Sequence, residues 1–174
     1  AWGFDAIPNP IKAMVGKPTA GARRERPLAD DEWETVLVEL QNLHPTTQAF
    51  ICFTRWSAVR RGEASKLRWE HVKGWGTPDV VARLVDTKTP KLGEVNGRTI
   101  PLHPEAVAAI ASILDDPDKP PRTGWVFPSP KDPQKPLPGG TAYQAWDRAR
   151  ARAGLPPNER GEIPTIHDLR HTRL

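Results

Sequence analysis

The sequence predicts an α+β fold, mainly helical with a small three-stranded antiparallel sheet. Apolar residues recur at helical spacing in several segments, and three short β-favouring runs between them are separated by Gly, Pro and Asn. The length, 174 residues, supports one hydrophobic core with an extra segment, not two complete domains.

The first stretch runs through Pro8, Pro10, Gly16, Pro18 and Gly21 into the basic residues Arg23, Arg24 and Arg26. It has neither helical nor strand periodicity, so residues 1–27 read as a linker to a further domain and residues 28–174 as the folded unit. Asp30 can cap a helix whose apolar residues Trp33, Val36, Leu37 and Leu40 share one face. After Pro45, Thr46 or Thr47 can cap a second helix through Phe50, Ile51, Phe53 and Trp56; being apolar on more than one side, it belongs at the centre. A short helix over 61–67 follows.

Strand character then appears at 68–72, 80–85 and 98–102, with Gly74, Gly76 and Pro78 in the first gap and Pro90, Gly93, Asn96 and Gly97 in the second. Antiparallel hairpins are the economical connection. His103 and Pro104 open a helix with Val107, Ile110, Ala111 and Leu114 on one face. Eight of the twenty prolines fall between Asp115 and Gly140, which predicts extended loop anchored only at Trp125, Val126 and Phe127. A helix over 141–153 ends at Gly154, and a last one begins at Thr165. No internal repeat is visible.

Composition narrows the function without choosing it. The 25 Lys and Arg against 21 Asp and Glu leave a net charge of +4, a weak attraction for a polyanion that permits DNA binding. The single cysteine, Cys52, excludes a disulfide framework and a Cys-rich zinc site; it reads as a small buried hydrophobe in a reducing compartment. Residues 1–10 do not form a signal peptide, and no run approaches the roughly 18 apolar residues of a membrane span. A soluble, cytoplasmic protein without a membrane partner is expected.

Four polar groups stand out once the elements are placed: Arg60, Lys88, His167 and Arg170. Arg60 lies at a junction between helices, where a planar guanidinium can grip a phosphate with two bonds and a helix start adds favourable potential. His167 and Arg170, three apart, share a helix face and can converge on one ligand. Lys88 lies at the tip of a predicted hairpin, from which an ammonium can reach in as proton donor. Each feature alone is commonplace, an ordinary surface charge or a chance pair; their order along the chain is not.

That order is Arg60-x-x-Glu63, Leu67-x-Trp69, a Thr87-Lys88-Thr89 hairpin closing on Arg98-x-Ile100-Pro101-Leu102, then His167-Asp168-Leu169-Arg170-His171-Thr172. It resembles the catalytic domain of tyrosine recombinases of the phage integrase family, from about Leu28 to Leu174. The passage before it, with Trp2-Gly3 and Asn9-Pro10, is similar to the exit from that family's N-terminal DNA-binding domain. The resemblance implies the DNA breaking-rejoining enzyme fold and assigns Arg60 as first catalytic arginine, Lys88 as hairpin lysine, and His167 with Arg170 as the His-x-x-Arg box. It makes Glu63 a brace and His171 a supporting residue that packs or bonds within the last helix.

The chemistry it implies is conservative. Two arginines and a histidine stabilise a pentavalent phosphorane, a tyrosine takes the 3′-phosphate, and the lysine protonates the departing 5′-hydroxyl, with no ATP, metal or cofactor. The implied partners are double-stranded DNA attachment sites and, for the full-length protein, a homotetramer on DNA, in a prophage or other integrated element. The family pattern continues past the box to a Leu-Gly-His or Trp position and then the nucleophilic tyrosine; neither occurs here. Tyr143 is the chain's one tyrosine, and its spacing with Trp146 and Ala149 reads as core-facing. The expectation is a fragment without a nucleophile: inactive alone, able to be monomeric, and binding DNA modestly and salt-dependently. Type IB topoisomerases share this chemistry. Two other readings stay open: a non-catalytic DNA-binding or assembly module of the same fold, and a magnesium nuclease using Pro78-Asp79 and Asp86-x-Lys88.

Overall fold

The computed structural model describes residues 26–85 and 97–173. Most of the expected linker and the hairpin tip with Asp86, Thr87 and Lys88 lie outside the described residues. Five α-helices carry the described fold: α1 (Asp30–Leu40), α2 (Pro45–Ser57), α3 (Arg61–Ser65), α4 (Pro104–Ala111) and α5 (Gly139–Arg152). Between α3 and α4 lies the antiparallel sheet β1 (Val72–Lys73), β2 (Val81–Val85), β3 (Gly97–Pro101), in that spatial order. Val72 pairs with Ala82, and β2 runs against β3 from Val81 opposite Pro101 to Val85 opposite Gly97.

The centre is α2, packed against α4, α5 and the C-terminal turn. Its Phe50, Ile51 and Phe53 are fully buried because the helix is apolar on several sides. Phe127 enters this core from the proline-rich stretch, edge-on to Phe50 at 5.3 Å and tilted against Phe53 at 5.2 Å. Backbone bonds pin it there: Trp69 N–H to Gly124 O at 2.9 Å, Val126 N–H to Leu67 O at 3.0 Å, and Leu137 N–H to Phe127 O at 2.8 Å. The expected anchor at 125–127 is therefore part of the core. Among the described residues no helix is long and apolar enough to cross a membrane.

Several local expectations change. Ala29, not Asp30, holds the N-cap of α1; its N–H bonds the Glu32 carboxylate at 3.0 Å, while Asp30 accepts from Arg55 at 2.7 Å. His44 caps α2 through Nδ1, which accepts from Thr46 N–H at 3.3 Å, and Pro45 fills the first helical position. The expected strand at 68–72 is mostly a 3₁₀ turn, Trp69–His71, because Trp69 turns inward to 6% exposure and the Glu70 carboxylate accepts from Arg68 at 2.7 Å and Gly124 N–H at 3.0 Å. Within the loop expected at 115–140 there is a small hairpin, β4 (Pro128–Ser129) with β5 (Asp132–Pro136). Prolines fit there because a two-stranded ribbon needs few ladder donors. The last segment is a 3₁₀ turn, Asp168–Arg173, instead of an α-helix from Thr165. Cys52 is half-buried, and burial pushes its thiol up to about 11, so it is the inert hydrophobe expected.

Candidate functional site

The site is built where α2 ends. Ala58 closes that helix in the left-handed region, at φ 52° and ψ 22°, the one non-glycine residue with positive φ among those described. This reversal lets Val59 point into the core at 1% exposure and sends the chain out at Arg60, the N-cap of α3. The Glu63 carboxylate takes the Arg60 backbone N–H at 3.0 Å and its Nη1 at 3.1 Å. It also accepts from Arg98 Nη2 at 2.9 Å, so a carboxylate with only 11% side-chain exposure braces two half-exposed guanidiniums. With a single turn of helix in α3, the guanidiniums and not a helix dipole supply the positive potential.

The C-terminal turn brings the second half. Ile166 and Leu169 are buried at 3% and 0%, which leaves His167 and Arg170 on the outer side. Asp168, buried, closes the turn by accepting from the Thr165 N–H and hydroxyl, both at 2.7 Å. Arg170 crosses to the other half: its Nε donates to Ala58 O at 2.9 Å, tying residues 112 positions apart. Desolvation by burial lowers the Arg170 pKa from its ordinary value, and the charges of Arg60 and Arg98 lower it further, while Glu63 opposes them. A guanidinium does not lose its proton under these conditions; the shift records a cation that gains from an anion placed before it.

These groups open into one cavity of about 420 Å³, lined by Arg60, Arg61, Tyr143, Thr165, His167 and Arg170. Such a wall suits a tetrahedral oxyanion whose oxygens point several ways at once. Of the residues singled out from the sequence, the fold brings together Arg60, Glu63, His167 and Arg170. Lys88 lies outside the described residues, as does the side chain of His171; the His171 backbone belongs to the C-terminal turn.

Three residues of the site were given no site role by the sequence. Arg98, the second residue of β3 and opposite Leu84, is joined to the site by its ion pair with Glu63. Arg61 looked like an ordinary neighbour of Arg60. Tyr143 is not core-facing: it is 40% exposed and lines the cavity, while α5 buries Ala142, Ala145, Trp146 and Ala149. Tyr143 stands one residue, roughly 100° of helix rotation, from Ala142, and that turns it outward.

This fold and this cationic pocket define a protein of the phage integrase family: that family's model matches residues 26–174, and the chain belongs to it. A prophage phiRv2 integrase of Mycobacterium tuberculosis is 29% identical over 171 residues, which cover 94% of this chain and 43% of the relative. Its counterpart in a second strain matches equally. The chain thus spans less than half the length of the curated relatives it matches. Among solved structures, a lambda integrase (75–356) dimer bound to a COC′ core site superimposes with TM-score 0.67 at 20% identity, covering 93% of this chain and 55% of that one. The lambda integrase catalytic core gives 0.63 at 21%, covering 86% and 80%. An integrase from mycobacterium phage Brujita gives 0.60 at 21%, covering 92% and 46%. These share the α+β fold described above.

Proposed function

We propose that residues 28–174 are the catalytic domain of a site-specific DNA recombinase, that residues 1–27 link it to a DNA-binding domain, and that it integrates and excises a prophage or genomic island. The observation that carries this reading is the convergence of Arg60, His167 and Arg170 on one open cavity, with Glu63 behind them. Arg60 and Arg170 hold the nonbridging oxygens of a scissile phosphate, and His167 adds a third donor. As the phosphorane forms, charge grows on those oxygens, so these contacts tighten in the transition state and lower the barrier.

The nucleophile is a tyrosine of the whole protein outside these 174 residues, and the fragment by itself does not cleave DNA. Its phenolate forms the bond to phosphorus while the 5′-oxygen leaves and takes a proton from Lys88. The 3′-phosphotyrosyl bond keeps the free energy of the broken phosphodiester, so the 5′-hydroxyl of another strand reverses the step and rejoins DNA without ATP or metal. His171 supports the box from within its turn. Double-stranded attachment sites are the substrate, in the bacterial cytoplasm. A tetramer acts on them in the full-length protein; a lambda integrase tetramer bound to a Holliday junction, which matches this fold at TM-score 0.67, supports that assembly.

The test is covalent trapping. The full-length protein, incubated with a nicked duplex carrying its attachment site, is expected to form a protein–DNA adduct that survives denaturation and is insensitive to EDTA. Arg60→Ala and Arg170→Ala should each lower the rate by about 10²- to 10³-fold. An adduct that persists unchanged in both variants overturns the assignment. Cutting that needs magnesium and leaves no adduct points instead to a metal-dependent nuclease, and DNA binding without any adduct to a non-catalytic module.

A further inference from the structure

We infer that Arg61 is a second phosphate-binding residue, which takes a DNA backbone phosphate adjacent to the one held by Arg60, His167 and Arg170. This rests on the DNA-binding reading above. Arg60 and Arg61 are consecutive, yet their side chains part company. Arg60 folds back on Glu63 at 3.1 Å. Arg61 lies against the start of α5, with its Cζ 5.9 Å from the centroid of the Tyr143 ring.

Gly139, the first residue of α5, leaves room for that placement. A Cβ there would stand 3.2 Å from Arg61 Nε, 3.7 Å from its Cδ and 3.8 Å from its Cζ. With hydrogen in that place the guanidinium lies close along the helix start. The aromatic ring offers its face to the cation, a contact that leaves the N–H donors at the guanidinium edge available. Among the described residues Arg61 has no hydrogen-bond or carboxylate partner, although Arg60 and Arg98 share Glu63. It lines the same cavity as Arg60, His167 and Arg170.

The charge balance then separates the two arginines. One phosphodiester carries one negative charge, and Arg60, His167 and Arg170 already face it with the oxyanion donors its transition state needs. Each DNA strand presents a charge roughly every 3.4 Å of helix axis, so a phosphate next to the bound one always lies near the rim of the site. Arg61, turned to the α5 side of the cavity beside Gly139 and Tyr143 and without a carboxylate partner among the described residues, is a cation that can receive it. Its contact holds the strand in register without reading sequence.

The experiment measures binding of this chain to a random-sequence duplex by fluorescence anisotropy across a series of KCl concentrations. Arg61→Ala should reduce the slope of log K against log salt by about 0.9 and weaken binding about eightfold at roughly 0.1 M salt, the polyelectrolyte contribution of one phosphate. Arg61→Lys keeps the charge and should keep the slope; both variants should melt with the unsubstituted chain. An unchanged slope in Arg61→Ala overturns the inference, as does an equal fall in Arg61→Lys. Arg60→Ala and Arg170→Ala run in parallel keep the two readings apart. If they lower the slope while Arg61→Ala does not, only the role of Arg61 fails; if the unsubstituted chain shows no salt-dependent binding, the DNA-binding reading fails with it.

Discussion

Arg55 and Arg60 lie five residues apart on either side of the end of α2, and they are used in opposite ways. Arg55 is 1% exposed, its guanidinium 4.6 Å from the centroid of the Trp33 ring and 5.5 Å from that of Trp56, with Asp30 accepting at 2.7 Å. Through Trp33 and Asp30 it joins α2 to α1. Arg60 has 59% of its side chain exposed and shares the Glu63 carboxylate with Arg98. The same side chain is a structural rivet where rings and an acid enclose it, and a binding group where the fold leaves its donors facing a cavity. Burial and pairing, not residue type, separate the two roles.

The contrast can be tested from both sides. In the full-length protein, the largest effect should be the loss of covalent adduct formation in Arg60→Ala or Arg170→Ala; in Arg60→Ala the Tm should stay close to the original, because a half-exposed charge contributes within about 0.5 kcal/mol. Arg55→Ala should do the reverse: a loss of about 2–4 kcal/mol in urea unfolding, since truncation leaves a void between two indoles. A stable Arg55→Ala protein would erase the distinction. Arg55→Met, which fills most of that space, should recover part of the loss.

A smaller effect concerns the chain's entry into the domain. Arg26 donates to both Glu32 carboxylate oxygens and, at 3.0 Å, to Pro156 O. The Arg26 hydrogen bond is the main cause that holds the Glu32 pKa below its ordinary value of 4.5, with the Ala29 N–H adding to it and burial opposing. A depressed carboxylate pKa contributes stability that is present above the unfolded value and is lost as pH falls through the folded one. Glu32→Gln should therefore lower stability at pH 7 and flatten the acid limb of a stability–pH curve below about pH 4.5; an unchanged acid limb would refute this clamp. The smallest effect is chemical. With its thiol raised to about 11, Cys52 should resist iodoacetamide at pH 8 in the native state and react once the chain is unfolded.

How legible all this was depended on range. The helices carried their own signals: the apolar stripe of α1, the many-sided apolarity of α2, Pro104 at the start of α4 and Gly154, at φ 66°, after α5. The three-stranded sheet followed from turn residues between β-favouring runs. The β4–β5 hairpin did not, because its ladder pairs Pro128 with Pro136 and so lacks the propensities that mark a strand. Trp69 read as a strand residue; the core pulled it into a turn.

The same division runs through the site. Spacing alone put His167 and Arg170 on one face, and the ordered motifs singled out Arg60 and Glu63. Sequence order could not say that Arg98 would share Glu63 or that Arg170 would donate to Ala58 O, because those partners are 35 and 112 positions apart. Nor could it separate Arg61 from Arg60, or turn Tyr143 from core to cavity. Periodicity and turn chemistry act over a few residues, so the elements, the core faces and the candidate cations were determined by the sequence locally. Which cation meets a carboxylate, which meets a ring and which stays open depends on how α2, α3, α5 and the C-terminal turn pack together, and only the tertiary structure decides that.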